Sequence, residues 1–476
     1  MDHPTVRAFI AFRIFFTARF YYPIFMILFL DFGLSIEDFA LLNAIWAVVI
    51  ILLEVPSGAV ADIVGRRALV VLAGLCMVFE IGLLCLVPLG NHSLVFAVFL
   101  INRLLSGMAE AAASGADEAL AYDALKSVGE EGTWPRVMER LTQLRSMAMF
   151  VAMISGAVVY DPGMLNWVSE HVGGAGWSKA ETVKLPLWLN LITAFLTLGS
   201  ALAMRDVGAG ESDQVALDPA ETGEVPSEAL GNAEGSKVVQ AFRVTLATGR
   251  WILRTPVALL VILAGLLFDH VGRQLLTMSS EYFRAIAIPV GLLGVLGAVS
   301  GLTGLVFAGL GRRLLEERTP LFNFGVLVVL TLASVGGMAL AIPYWGLLFA
   351  LGLGAVMTLT NTFVSQYLNQ LADSSQRATV LSFKGVAMNL GYGTVGFLTM
   401  ALVASLRGRP EMQGLAESQL DRRVFLEALL WFPGWFLALL VVFLIAAWRI
   451  AGTTAPFRQI GGCHRLDERE SGGAPE

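Results

Sequence analysis

The chain has 476 residues, of which 56% are hydrophobic and only 15% charged, and its mean hydropathy is +0.71. Soluble proteins carry about a quarter of their residues as Asp, Glu, Lys and Arg, so a water-covered exterior is excluded and most of the surface must face lipid. In such a chain, with a formal net charge of −6, a nucleic-acid partner is disfavoured. Cys76, Cys85 and Cys463 form neither a CxxC pair nor a ligand cluster with the five histidines, which argues against a disulfide framework and a metal site.

Apolar blocks of about 20 residues, the length that crosses a bilayer core, recur at 8–30, 39–61, 68–88, 94–115, 140–160, 185–204, 256–277, 288–310, 321–341, 343–368, 378–402 and 424–448. They predict an all-α membrane protein with twelve spans in two groups of six. The first block carries Arg7, Arg13 and Arg19 and is followed by no small-residue cleavage site, so it is expected to stay as the first helix.

Arg13 and Arg19 cannot share a face of that helix, because six residues turn it through about 600°. Arg13, near the cytoplasmic end, is expected to snorkel to that surface. Arg19 is deeper and lies three residues before Tyr22. On nearly one face, guanidinium and phenol suit an anionic or aromatic substrate, and pairing with Glu54 explains Arg19 almost as well. Glu54 sits eight residues before Asp62, roughly 12 Å into the second span.

After the second span, Asp62 closes one helix and Arg66 and Arg67 open the next, with Gly58 and Gly65 permitting close approach and non-helical dihedrals. The expectation is a charged hinge whose Asp62 and arginines pair with each other or with a helix of the opposite half, latching the cytoplasmic side. Plain positive-inside anchoring is the alternative.

In the fourth span Arg103, Gly107 and Glu110 fall on one stripe. A charge inside a span is costly and tends to face a partner or a wet cavity, and a carboxylate poised between burial and a nearby arginine can exchange a proton as access changes. Glu54 and Glu110, with Arg103 as the modulating charge, are the proton-coupling candidates. A permanent ion pair that locks two helices is the other reading.

Residues 205–255 divide the groups. Their middle is acidic, rich in small residues and without aromatics, which predicts a flexible cytoplasmic linker. Residues 237–254 carry an apolar stripe with Arg243, Arg250 and Arg254, as a membrane-surface helix would. The predicted domains are 1–204, this linker, 256–450 and a flexible tail over 451–476.

The seventh span holds Asp269 and Arg273, spaced to pair along the helix, with His270 beside them. This outer-half cluster is read as an external gate or a structural pair, with His270 a further option for proton coupling. After the eighth span, Gly304-LVFAGL-Gly311-Arg312-Arg313 repeats Gly58-AVADIV-Gly65-Arg66-Arg67 at an offset of 246 residues, the kind of duplication found in two-halved transporters. The tenth span has two polar stripes, Asn361-Ser365-Asn369 and Thr358-Thr362-Gln366, expected to line a wet cavity or to cement packing. Asn389 and Lys384 in the eleventh are lesser cavity candidates, Lys384 lying near enough to the cytoplasmic end to be an anchor.

Lys and Arg gather about three to one on the side that carries both termini, which predicts both termini in the cytoplasm. No G-x-x-x-x-G-K-[ST] is present, so energy is expected from a proton or substrate gradient, without a cofactor.

Gly58, Asp62, Gly65, Arg66 and Arg67 resemble the loop 2–3 signature G-x-x-x-D-x-x-G-R-R/K of the major facilitator superfamily, and Arg103-LLS-Gly107 is similar to the R-x-x-x-G pattern of its proton-coupled members. SGADEALAYDAL (114–125) and SSQRATVLSF (374–383) look like a bacterial branch of that family. The resemblance covers all twelve spans and implies two pseudo-symmetric six-helix bundles and secondary transport by a monomer in the inner membrane. Proton-driven drug antiporters of the family carry a G-P pair in the fifth span, whereas this chain has Ser155-Gly156-Ala157-Val158. Export by antiport thus lacks its signature in the fifth span; proton-coupled transport, with efflux ahead of import, is the leading expectation, with facilitative transport or import second and a non-transporting sensor third. No enzymatic activity is expected.

Overall fold

A computed structural model describes residues 3–172, 176–205, 250, 252, 254–371 and 377–451. The expected linker, apart from a few residues at its ends, its surface helix, and the tail after 451 lie outside the described residues. Every regular element described is a helix, and twelve segments are long and apolar enough to cross a membrane. Large side chains such as Phe79, Phe195, Val306, Leu321 and Trp448 stand exposed along them, as a lipid-facing surface requires.

The helices gather into two compact units, one within Met1–Thr245 together with Val290–Ala298, the other within Leu246–Pro289 together with Val299–Glu476. In the first unit, Val6, Phe9, Phe12, Val70, Met77 and Val137 belong to one apolar core. Phe268, Leu353, Phe363 and Phe425 are among the fully buried side chains of the second.

The first span is not the single helix expected over 8–30. It runs as Pro4–Thr17, breaks, and resumes through a short turn at Tyr22–Ile24 into Phe25–Asp31. Pro23 supplies the cause, since it has no N–H and its ring excludes the carbonyl of Arg19 four residues back. The twelfth span is also interrupted, with Glu417–Leu429 followed by Trp431–Ala451. Pro433 stands in the first turn of the latter, where its missing N–H costs nothing within the new helix.

Elsewhere the ends are set by local chemistry. Ser35 and Asp38 cap the second span, Ile36–Val64, reciprocally. Gly65 then takes φ +99°, a conformation open to glycine, and Arg66 starts the third span at once. The fourth span, His92–Ala113, ends at Ser114 and Gly115, after which 116–126 forms a separate short helix.

The repeated motif is not structurally repeated at that glycine. Leu293–Glu317 passes through Gly311, Arg312 and Arg313 without a break, so these residues lie inside the eighth helix rather than in the loop after 310. The turn falls at Arg318–Thr319, where the Thr319 hydroxyl caps the ninth span and Pro320 occupies its first position. Gly311 serves packing instead, since a Cβ there would lie 3.1 Å from Leu359.

Candidate functional site

The break in the first span organises the polar interior of the first unit. Arg19 lies within it and donates to Glu80 of the third span over 2.7 Å, with 2% and 0% of the two side chains exposed. The Phe20 N–H, released from helical bonding, donates to the Asn190 side-chain oxygen of the sixth span at 2.8 Å. On its other side, Phe20 lies against Gly156 so closely that a Cβ there would sit 1.8 Å from the Phe20 carbonyl oxygen. In the fifth span, Gly156 is thus a contact glycine.

A second layer joins the third and fourth spans. Asn102 donates to the Glu80 backbone carbonyl at 3.3 Å and accepts from Arg103 through Nε and Nη2 at 2.9 and 2.6 Å. The Arg103 guanidinium lies over the rings of Phe25 and Phe29 at 5.4 and 5.5 Å, a favourable cation–π setting. Gly107 keeps this helix close to the second span, because a Cβ there would fall 2.8 Å from Val49. Half-buried Glu110 acts electrostatically on both Arg19 and Glu80.

Several expectations change. Arg19 pairs with Glu80 rather than Glu54 and is almost fully buried. Tyr22 does not share a helical face with it, since the helix breaks between them. Tyr22 is 42% exposed and packs edge-on against Tyr21 and Phe25. Arg103 modulates neither Glu54 nor Glu110 by a bond, since its partners are Asn102 and two rings. Glu54 keeps one buried carboxylate oxygen without a hydrogen bond.

Arg13 does not snorkel. It donates to buried Asp117 at 2.7 Å and to Glu118 at 3.4 Å, tying the first span to the short helix after the fourth. That helix also receives the loop: Arg66 pairs with Asp123, while Arg67 donates to the carbonyls of Met204 and Leu202 at 2.7 and 3.0 Å. Both arginines thus find partners within their own unit. The side chain of Asp62 lies outside what is described.

In the second unit, Asp269, Arg273, Asn361, Lys384 and Asn389 meet around a cavity of about 410 Å³, completed by Met357, Thr360, Val364, Gly385 and Met388. Arg273 donates to Asp269 at 2.8 Å and to Asn389 at 2.9 Å. Lys384, a lesser cavity candidate with a surface anchor as the alternative, donates to Asn361 at 2.6 Å and Ser365 at 2.7 Å. Of the two stripes on the tenth span, one therefore faces Lys384. On the other, Thr358 and Thr362 donate to carbonyls one turn back and Gln366 is exposed.

His270 turns away from this chemistry. Its Nδ1 contacts the Leu266 carbonyl and its Nε2 accepts from Trp435 Nε1 at 3.1 Å. Because indole only donates, Nε2 is unprotonated and the ring is held as the neutral Nδ1–H tautomer. These two contacts pack the ring between the seventh and twelfth spans.

Sequence reasoning missed Glu80, Asn102 and Asn190. Glu80 was visible as the sole acid in the third apolar block. The two asparagines carry no charge in apolar blocks and gave no comparable signal.

A profile of the Major Facilitator Superfamily matches residues 8–395. Among solved structures, the nucleoside transporter NupG superposes with TM-score 0.64 at 12% identity, covering 94% of this chain and 99% of that one. A bacterial homologue of the human lysosomal transporter Spinster gives 0.64 at 15%, covering 95% and 97%. A D-xylose–proton symporter gives 0.56 at 15%, covering 90% and 95%. At these identities the likeness speaks for the fold alone. No match was found among curated protein sequences. With its twelve apolar helices and a family match over most of its length, the chain is a membrane transporter and belongs to the Major Facilitator Superfamily.

Proposed function

We propose that the chain moves a small molecule outward across the cytoplasmic membrane in exchange for protons, as a monomer with both termini in the cytoplasm and without a cofactor. The observation that carries the proton step is the arrangement at the break in the first span. Arg19 is bonded to Glu80, and Glu110 on the fourth span feels the charges of both without bonding either. Two carboxylates competing for one cation in a low-dielectric setting favour holding a proton on one of them. As the polar interior opens first to one side and then to the other, that proton can be exchanged. Glu110 is the exchanging carboxylate, the Arg19–Glu80 pair replaces Arg103 as the modulating charge, and Arg103 with Asn102 positions the helices. Outward direction rests only on the likeness of segments 114–125 and 374–383 to a bacterial branch of the family, since the fifth span lacks the G-P pair of proton-driven antiporters.

The closed bond between Arg19 and Glu80 favours a second reading, facilitative transport with structural charges. A growth screen of an overexpressing strain against toxic compounds separates the two. Exchange with protons predicts raised tolerance to at least one compound and its loss in Glu110→Gln. Heightened sensitivity would indicate import, and tolerance unaffected by Glu110→Gln would favour the facilitative reading.

A further inference from the structure

The cavity of the second unit has a charge imbalance. Among its described lining residues, Arg273 and Lys384 are cationic and Asp269 is the one acid. Asp269 commits one oxygen to Arg273, so that pair is neutral as a unit. Lys384 has no carboxylate partner in the cavity: its Nζ donates to the amide oxygen of Asn361 and the hydroxyl of Ser365, both neutral. An ammonium group has three N–H donors, and these two bonds use two of them. Asp269, the carboxylate whose charge Lys384 feels, is already bonded to Arg273, so the cavity keeps a net positive charge; a charge in a span is costly, and a counter-charge supplied by a ligand relieves that cost.

The rest of the wall describes the body of the ligand. Met357, Val364 and Met388 are apolar, and methionine adapts its shape to varied partners. The Arg273 guanidinium also lies over the Tyr392 ring at 5.5 Å, which holds it in place beside Asn389. A volume of about 410 Å³ falls in the range of about 300–1,000 Å³ typical of small-molecule sites.

The geometry points to an organic monoanion with an apolar body as the ligand of this cavity, its carboxylate or equivalent acid group placed on Lys384 between Asn361 and Ser365. That this ligand is also the transported substrate rests on the transport reading above; its binding does not.

The test is binding to the purified full-length protein in detergent, read by thermal shift and by isothermal titration. The probes are three matched sets of aryl and alkyl compounds of six to twelve carbons, as carboxylates, as primary amines and as neutral amides. Carboxylates are expected to bind and stabilise, the corresponding amines and amides not. Lys384→Gln is expected to weaken carboxylate binding by roughly tenfold or more, and Lys384→Arg to retain most of it. Equal or better binding of amines or amides overturns the inference, as does a carboxylate set without a binder. Because the three sets are compared on the unmodified protein, the result stands even where Lys384→Gln folds poorly. Flux of a cationic compound with no carboxylate binding refutes this ligand class and leaves transport intact. Carboxylate binding without flux supports the site and refutes the transport reading.

Discussion

Arg19 and Glu80 meet over 2.7 Å inside the break of the first span, and that contact orders the first unit's polar interior. The break frees a backbone N–H, Asn190 takes it up, and Gly156 admits the adjoining carbonyl. A helix interruption forced by Pro23 thus becomes the place where charge is held within the membrane.

Removing one partner of that pair strands a buried charge, which typically costs about 3–5 kcal/mol, whereas replacing both by apolar groups is often near neutral. Glu80→Gln should therefore lower the thermal midpoint of the detergent-solubilised protein strongly, and Arg19→Met combined with Glu80→Leu should recover most of the loss. A double variant no more stable than Glu80→Gln would show that the pair is not the stabilising unit. On the exchange reading, the double variant stays folded but loses proton-linked transport.

Two glycines make a matched test of close packing. Gly156→Ala should abolish transport and destabilise, because backbone stands 1.8 Å from the new Cβ and cannot move aside as a flexible side chain would. Gly301→Ala meets nothing within 4 Å and gains helix propensity of up to about 1 kcal/mol. Thermal midpoints and expression of the two variants should diverge, and similar behaviour would contradict the packing described.

The loop arginines should separate by partner. Arg66 pairs with Asp123, both well exposed, so Arg66→Ala should change stability by about 1 kcal/mol or less. Transport lost in Arg66→Asp should return when Asp123→Arg is added. Gly65→Ala should cost about 1–2 kcal/mol, because its φ of +99° is unfavourable for a residue with a Cβ. Failure of the charge swap to rescue would mean that Arg66 works through another partner.

His270 should prove inert to pH. Held by Leu266 and Trp435, it should tolerate His270→Gln with transport rate and pH profile unchanged, while His270→Asp should disrupt the contact with Trp435. A displaced pH profile in His270→Gln would assign it a proton.

The twelve spans and the family were legible because apolar blocks of membrane length and the Gly65-Arg66-Arg67 hinge are local patterns. The site was less so, because its pairs join distant positions. Arg13 and Asp117 are 104 residues apart, and Arg19 and Glu80 are 61 apart, so charge spacing along one helix could not reveal them. Arg103, Gly107 and Glu110 were found by helical spacing, which held because the fourth span is unbroken there. The same spacing failed for Arg19 and Tyr22, because the helix ends at Thr17 and resumes only through the turn that holds Pro23. The distance of Lys384 from the helix end allows either a cavity residue or an anchor, and Asn361 and Ser365 on the neighbouring helix decide for the cavity.

The central claim is proton exchange at Glu110, beside the Arg19–Glu80 pair. It is tested most directly in vesicles containing the purified protein, with a pH step imposed across the membrane and flux of a compound from the growth screen followed together with internal pH. The account predicts that the pH step drives the compound against its concentration, that compound movement shifts internal pH, and that Glu110→Gln abolishes both while passive exchange persists. Flux indifferent to the pH step, and equal in Glu110→Gln, would contradict it.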